Sequence, residues 1–208
     1  MINSRRFAEK TCTIEKKTES LKGHFMVTLP GFQLEDFQET IIFICEHDRA
    51  GAMGLVINQP VRGINMSDLK DPVLLTQDSP ILANLEKTSI FWGGPTNMDQ
   101  GVVLHSPDVV WQTTIPINDC VSITPYWNSV EEFNNKESPL LPKHYRIMLG
   151  HVSWKPGQLE KEWMKRAWLS LPYREDFLFD VNPENQWDSL VSFCGVHSIS
   201  LSPIQGRA

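Results

Sequence analysis
The 208-residue chain has none of the short signatures that mark the commonest enzyme classes. It contains no G-x-x-x-x-G-K-[ST], no G-x-G-x-x-G, no G-x-S-x-G and no H-E-x-x-H. A P-loop, a dinucleotide fingerprint, a nucleophile elbow and a zincin helix are thereby excluded, because each needs its residues at that local spacing. Enzymes assembled without a local motif stay open. Cysteine is sparse: Cys12, Cys45, Cys120 and Cys194 stand at least 33 positions apart, with no C-x-x-C. Neither a zinc ribbon nor a thioredoxin-type pair can be built from them, and free thiols in a reducing cytoplasm are expected, with Cys45 and Cys194 in the core. No apolar run approaches the roughly 20 residues that cross a bilayer. The first 20 residues carry Arg5-Arg6 without an apolar stretch behind them, so no secretory signal is read there. No membrane association is expected.

What the chain does have is an ordinary globular composition, 41% hydrophobic and 21% charged. That is enough apolar surface for one large core or two small ones. Charge is unevenly placed. Residues 1–23 hold six Lys or Arg against three Glu, whereas the remainder holds 13 against 22 acids, within a net charge of −6. The basic segment, residues 1–20, reads as a flexible, solvated arm ahead of a domain over residues 21–208. An acidic body offers no extended basic surface, so direct DNA binding would fall to the basic arm and is not supported by net charge.

The stretch around which the rest is organised is Thr40 to Pro60. Two apolar runs, Thr40 to Cys45 and Met53 to Asn58, flank a polar, glycine-containing connection, Glu46 to Ala52. This is the pattern of a buried β-hairpin with Glu46 and His47 at its mouth. Nearly every residue of the first run is apolar, so both of its faces should be covered. Strict alternation places His47 on the side of Cys45 and Glu46 on the other.

Further strands are expected at His24 to Leu29, Ser89 to Trp92, Gly101 to His105, Cys120 to Thr124, His144 to Ser153 and Phe177 to Val181. In the His144 run, Tyr145, Ile147, Leu149 and His151 share a face by alternation. Short helices are expected near Met66 to Lys70, from Ser79 to Leu85, and from the capping box at Ser129. The strongest helical pattern spans Gln158 to Leu171, where Leu159, Trp163, Met164, Ala167, Trp168 and Leu171 form an apolar stripe. Glu160 falls inside that stripe. A last helix begins at Asn182-Pro183, buries Trp187, Leu190, Val191 and Cys194, and stops at Gly195. The tail from Ile199 could add an edge strand. Strands and helices do not alternate regularly, which favours α+β over a doubly wound sheet.

Chemistry-bearing residues collect at strand ends: Glu46, His47, Asn58, Asp99, His105 and His151, joined by Glu160 on the long helix. Histidines that end apolar strands can converge as metal ligands or as an acid/base pair. One histidine per strand at wide separation is equally the pattern of side chains that satisfy loop carbonyls and amides. Two readings follow. One is a non-enzymatic binding or regulatory protein presenting a groove to a protein, nucleic acid or small ligand, with Trp154 a candidate groove residue and no cofactor or metal. The other is an enzyme or metal-dependent activity built from His47, His105, His151 and Glu160.

Several long motifs occur in fixed order: GHFMVTLPGFQLEDF, TIIFICEHDRAGAMGLVINQP, FWGGPTNMDQGVVLHS, GHVSWKPGQLEKEWMKRAWL and FLFDVNPENQW. From about Leu21 to Ala208 the chain resembles the AlgH/YqgE family of bacterial proteins. It departs from the family pattern at Gly31, at Glu39-Thr40 (usually Arg-Ser), at Gln100 (often Arg) and at Arg166 (usually Asn). The resemblance implies a compact single domain with coiled, bifurcated β-sheets flanked by helices, a bacterial cytoplasmic setting, and a role in transcriptional regulation attached to the family name. It supplies no catalytic residue set.

Overall fold
Every side chain from Ile41 to Cys45 is apolar, and each finds a covered face. In the computed structural model, which describes residues 20–29, 37–63, 88–125 and 141–195, this run is fully buried. The helices expected near Met66, Ser79 and Ser129, the tail strand from Ile199 and residues 1–19 lie outside the described residues. The strands are β1 (His24–Thr28), β2 (Ile41–Asp48), β3 (Gly51–Val56), β4 (Ile90–Trp92), β5 (Thr96–His105), β6 (Ile115–Asn118), β7 (Val121–Pro125), β8 (Tyr145–Trp154) and β9 (Trp168–Pro172). Helix α1 (Gln158–Met164) precedes β9, and a π-helical turn (Asp176–Asp180) leads into α2 (Pro183–Phe193).

The strands form one open, almost wholly antiparallel sheet in the order β6-β7-β5-β8-β3-β2-β1-β9, with β4 added to β8 in parallel. Period-2 alternation sorts its side chains into two cores. Ile41, Phe43 and Cys45 join Phe25, Leu55, Met148 and the π-helical turn and α2 residues Leu178, Trp187 and Leu190. Ile42 and Ile44 face the other way, onto Met26, Val56, Trp154, Leu159 and Trp168. Helix α1 and α2 therefore cap opposite faces. The indole of Trp187 also donates to the Thr28 carbonyl at 2.9 Å, tying α2 to β1.

Strand β8 is shared between two sets of partners. Residues 147–149 lie between β5 and β4, and Val152 to Trp154 pair with β3. The chain leaving β3 pairs with β4 instead, through Trp92 N to Gln59 O and Val61 N to Ile90 O. Strand β4 is thus a wedge between β8 and the continuation of β3. Where the wedge ends, Gly93 and Gly150 pack backbone to backbone. A Cβ on Gly93 would lie 2.3 Å from the Gly150 oxygen, and Gly150 itself has φ of 69°. That left-handed residue breaks the alternation, so Met148 points into one core while Val152 and Trp154 point into the other. His151 does not continue the face of Tyr145, Ile147 and Leu149.

Two expected elements come out differently. The long helix stops at Met164, and Trp168–Pro172 forms edge strand β9. The stop is a Schellman motif: Ala167 N bonds Glu162 O at 3.1 Å and Arg166 N bonds Trp163 O at 2.9 Å, with Arg166 at φ 59°. That position is usually glycine, and an arginine there hides the stop from a sequence reader. Met164, placed in the apolar stripe by periodicity, is 74% exposed. Phe177 to Val181, read as a strand, is largely the π-helical turn, which buries Phe177 and Leu178. The last helix is as expected, with Asn182 Oδ1 accepting from Glu184 N, Pro183 in the first turn and Gly195 at φ 69°.

Candidate functional site
Strand β2 pairs residue for residue with β3 up to Ile44, and the register then shifts so that Glu46 pairs with Met53. Cys45 is the extra residue of a β-bulge, and bulges re-aim the side chains that follow. His47 consequently does not lie with Cys45. Its ring meets Leu21 and Glu160, on the face that α1 covers, and its side chain is 5% exposed. Glu46 stays in solvent.

The hydrogen bonds of His47 fix its tautomer. The Leu21 backbone amide donates to Nδ1 at 2.7 Å. An amide can only donate, so the ring proton is on Nε2, which donates to Glu160 Oε1 at 3.2 Å. With its lone pair occupied, the imidazole is a three-way tie between the chain entering β1, the hairpin and α1. Glu160 reaches out of α1 with its side chain 43% exposed; it is not aimed at the core.

His105 is buried and equally committed. Nδ1–H donates to the Ser106 carbonyl at 2.8 Å, so Nε2 accepts from the Thr124 hydroxyl at 2.9 Å. Thr124 in turn accepts from Thr114, whose oxygen receives the Trp111 amide. Burial lowers the pKa of His105, opposed by its bond to Ser106 and the charge of Asp108. His151 has its pKa lowered by burial and makes no side-chain hydrogen bond among the described residues. Asn58 closes the far end of the hairpin, accepting from Ile41 N at 2.9 Å and donating to Glu39 O at 2.7 Å. Asp99 is exposed. Of the candidates from sequence only His47 and Glu160 are in contact. Among the described residues no three His, Cys, Asp or Glu side chains come close enough to hold a metal ion. Of the described cysteines, Cys45 is buried and its thiol pKa raised by desolvation, Cys120 is exposed, and Cys194 is partly buried and packs against the core that includes α2.

Trp154 is 5% exposed and lines a small cavity with Phe37, Trp168 and Glu162. Its indole N–H and that of Trp168 both donate to Glu162 Oε2 at 2.9 Å, so this carboxylate pins α1 to the sheet.

The larger opening lies elsewhere, as a cleft of about 610 Å³ between β4, the start of β8 and the entry to α2. Phe91, Tyr145 and Phe179 line it together with the buried Arg146 and the exposed Asp180 and Glu184. Arg146 is 6% exposed. Its Nη1 donates to the Ile57 carbonyl at 2.6 Å and to Gln186 Oε1 at 3.3 Å, and the guanidinium lies 4.9 Å from the centre of the Phe91 ring. The orientation of Gln186 is dictated because its amide nitrogen donates to the Phe177 and Leu178 carbonyls. No carboxylate pairs with Arg146 among the described residues, and desolvation lowers its pKa to about 10. Nε and Nη2 bond to no group of the protein there. Arg146 is one of the residues that line the cleft.

Comparison with known proteins places the chain. A family model described as AlgH-like matches residues 25–198. The chain belongs to the AlgH-like family. A UPF0301 protein of Nitrosospira multiformis is 34% identical over 188 residues, covering 90% of this chain and 97% of that one. One from Pseudoalteromonas translucida is 34% identical over 190 residues, covering 91% and 100%. The solution structure of the AlgH protein from Pseudomonas aeruginosa superposes with a TM-score of 0.69 at 30% identity, covering 94% of this chain and 100% of that one. A crystal structure from Corynebacterium diphtheriae, at 18% identity and TM-score 0.65, covers 96% of each chain and shows the same fold.

Within this AlgH-like chain the residue that sequence reading missed is Arg146. The signal was there: a single cation in Tyr145-Arg146-Ile147-Met148-Leu149, a strand whose neighbours are apolar. A buried charge almost never stands unpaired without a reason. Gln186, 0% exposed in a helix first turn, carries the same kind of signal. Among the described residues no helix is long and apolar enough to cross a membrane.

Proposed function
We propose that this AlgH-like chain is a non-enzymatic binding protein for a small organic anion, held in the cleft through Arg146. One observation carries the reading: an arginine 6% exposed, without an acidic partner among the described residues, lining an open cleft. Burying an arginine costs several kcal/mol unless charge or hydrogen bonds compensate. Here Nη1 alone is used internally, which leaves a planar pair of donors shaped for a carboxylate or phosphoryl group. The N-terminus of α2 borders the cleft and adds a favourable dipole. The volume is that of a site for a small ligand, and Phe91, Tyr145 and Phe179 give its walls an aromatic part. Among the described residues no constellation of nucleophile and base accompanies the arginine, which is why binding rather than turnover is proposed. The divided pairing of β8 supports reading the fold as a bifurcated sheet flanked by helices, with the cleft opening beside the wedge strand.

The test is calorimetric titration with 3-phenylpropionate, with a thermal-shift series in parallel. Saturable binding that raises Tm and disappears in Arg146→Met supports the reading, since a ligand of the native state stabilises by mass action. Arg146→Lys keeps a cation and serves as the variant of choice if the methionine protein does not fold. Unchanged affinity in either folded variant overturns the assignment.

A further inference from the structure
The cleft holds charges of both signs that do not neutralise one another. Arg146 and Asp180 both line it, yet the two form no ion pair within 4.0 Å. Asp180 closes the π-helical turn, is exposed, and makes no side-chain hydrogen bond or ion pair among the described residues. Glu184 faces the same opening, with Arg62 Nη2 3.5 Å away; the side chains of that pair are 68% and 90% exposed, so solvent screens it heavily. The cleft that Arg146 lines therefore also holds at least one unneutralised carboxylate. A dianionic phosphate is repelled there. A monoanion is tolerated, and a molecule with an ammonium group at a fixed distance from its carboxylate gains from both charges. Phe91, Phe179 and Tyr145 also line the cleft, which suits an apolar or aromatic body.

We infer that the cleft takes an amphoteric molecule of the amino-acid class, its carboxylate on Arg146, its ammonium towards Asp180 and its side chain against Phe91 and Phe179. This rests on the reading of Arg146 as the anion subsite and adds the ligand's second charge and its shape. The cleft of about 610 Å³ accommodates one aromatic amino acid with room for water or a second residue. Specificity then comes from the separation of two unlike charges, and a simple carboxylic acid satisfies only one of them.

Four probes of nearly equal size separate the terms: L-phenylalanine, 3-phenylpropionate, phenethylamine and phenyl phosphate, each titrated calorimetrically into the full chain. L-Phenylalanine is expected to bind about tenfold more tightly than 3-phenylpropionate, the gain of one charge-assisted contact. Phenyl phosphate and phenethylamine are expected to bind more weakly than either. Asp180→Asn, a surface substitution of equal size, should bring L-phenylalanine down to within about twofold of 3-phenylpropionate and leave the latter unchanged. If 3-phenylpropionate or phenyl phosphate binds as well as L-phenylalanine, the amphoteric assignment fails while the anion site stands. If Asp180→Asn leaves the preference intact, it fails likewise. If none of the probes binds at millimolar concentration, both readings fall.

Discussion
The backbone amide of Leu21 donates to Nδ1 of His47 at 2.7 Å, and that bond assigns the histidine its role. It holds the segment entering β1 against the mouth of the central hairpin and commits the ring proton to Glu160. An imidazole used this way has no lone pair left for a metal or for abstracting a substrate's proton.

Replacing His47 tests this directly. His47→Ala orphans the Leu21 amide next to the Leu159 core and is expected to lower stability by about 1–3 kcal/mol. His47→Asn places an acceptor near the Nδ1 position and should recover most of that loss. Urea denaturation of both variants is the measurement. Equal losses in the two would remove the Leu21 bond from the explanation.

Glu162 is the second anchor of α1. Both indole donors of Trp154 and Trp168 converge on its Oε2, and Gln158 Nε2 donates to Oε1 at 2.9 Å. Glu162→Ala should cost about 2 kcal/mol or more, because two indole N–H groups lose their acceptor at once. Trp154 and Trp168 should report the change as an altered intrinsic fluorescence spectrum. A stability change under half a kcal/mol, with an unaltered spectrum, would contradict the clamp.

The lowered pKa of His105 gives a pH dependence with a definite sign. Between its folded pKa and its ordinary value of 6.5 the unfolded chain binds more protons than the native one. The contribution to stability is therefore complete above pH 6.5 and is lost as pH falls below it. His151, also lowered, adds in the same direction. Tm should drop between pH 7.5 and pH 5.5, and His105→Gln should flatten that slope even though the variant is less stable throughout. A steeper slope in the variant would reverse the assignment.

Arg166 offers a stabilising change. It occupies the left-handed position of the Schellman motif at φ 59°, where a side chain bearing Cβ is strained. Arg166→Gly is expected to raise stability by about 0.5–1 kcal/mol, less what the unfolded chain gains in freedom, and Arg166→Asn by a smaller amount. Thermal melts against the parent protein decide it. Destabilisation by glycine would show that the arginine side chain makes a contact worth more than the strain.

Most of the strands were legible because their evidence is local. Ile41 to Cys45 is apolar at every position, and only a strand covered on both faces, as β2 is, explains that. Asn182-Pro183 and Gly195 mark the ends of α2 through conformations that few other residues supply as readily. The end of α1 was hidden because Arg166 stands where glycine is usual. The π-helical turn was hidden because Phe177 to Val181 carries a strand's composition. The face of His47 was misjudged for a third reason: the bulge at Cys45 arises from mismatched pairing with β3, and one strand's sequence contains no trace of it.

The sequence by itself determined the family, the central hairpin, the two-sided burial of its first strand and the caps of the last helix. These depend on side-chain chemistry and backbone preference within a few residues. Tertiary structure alone decided that His47 meets Glu160 113 residues away, that His105 is enclosed in a hydrogen-bond chain, and that Arg146 lines a cleft with no carboxylate paired to it among the described residues. Such facts are set by which strands become neighbours, and a charge is paired or unpaired only with respect to groups the fold brings within a few ångströms.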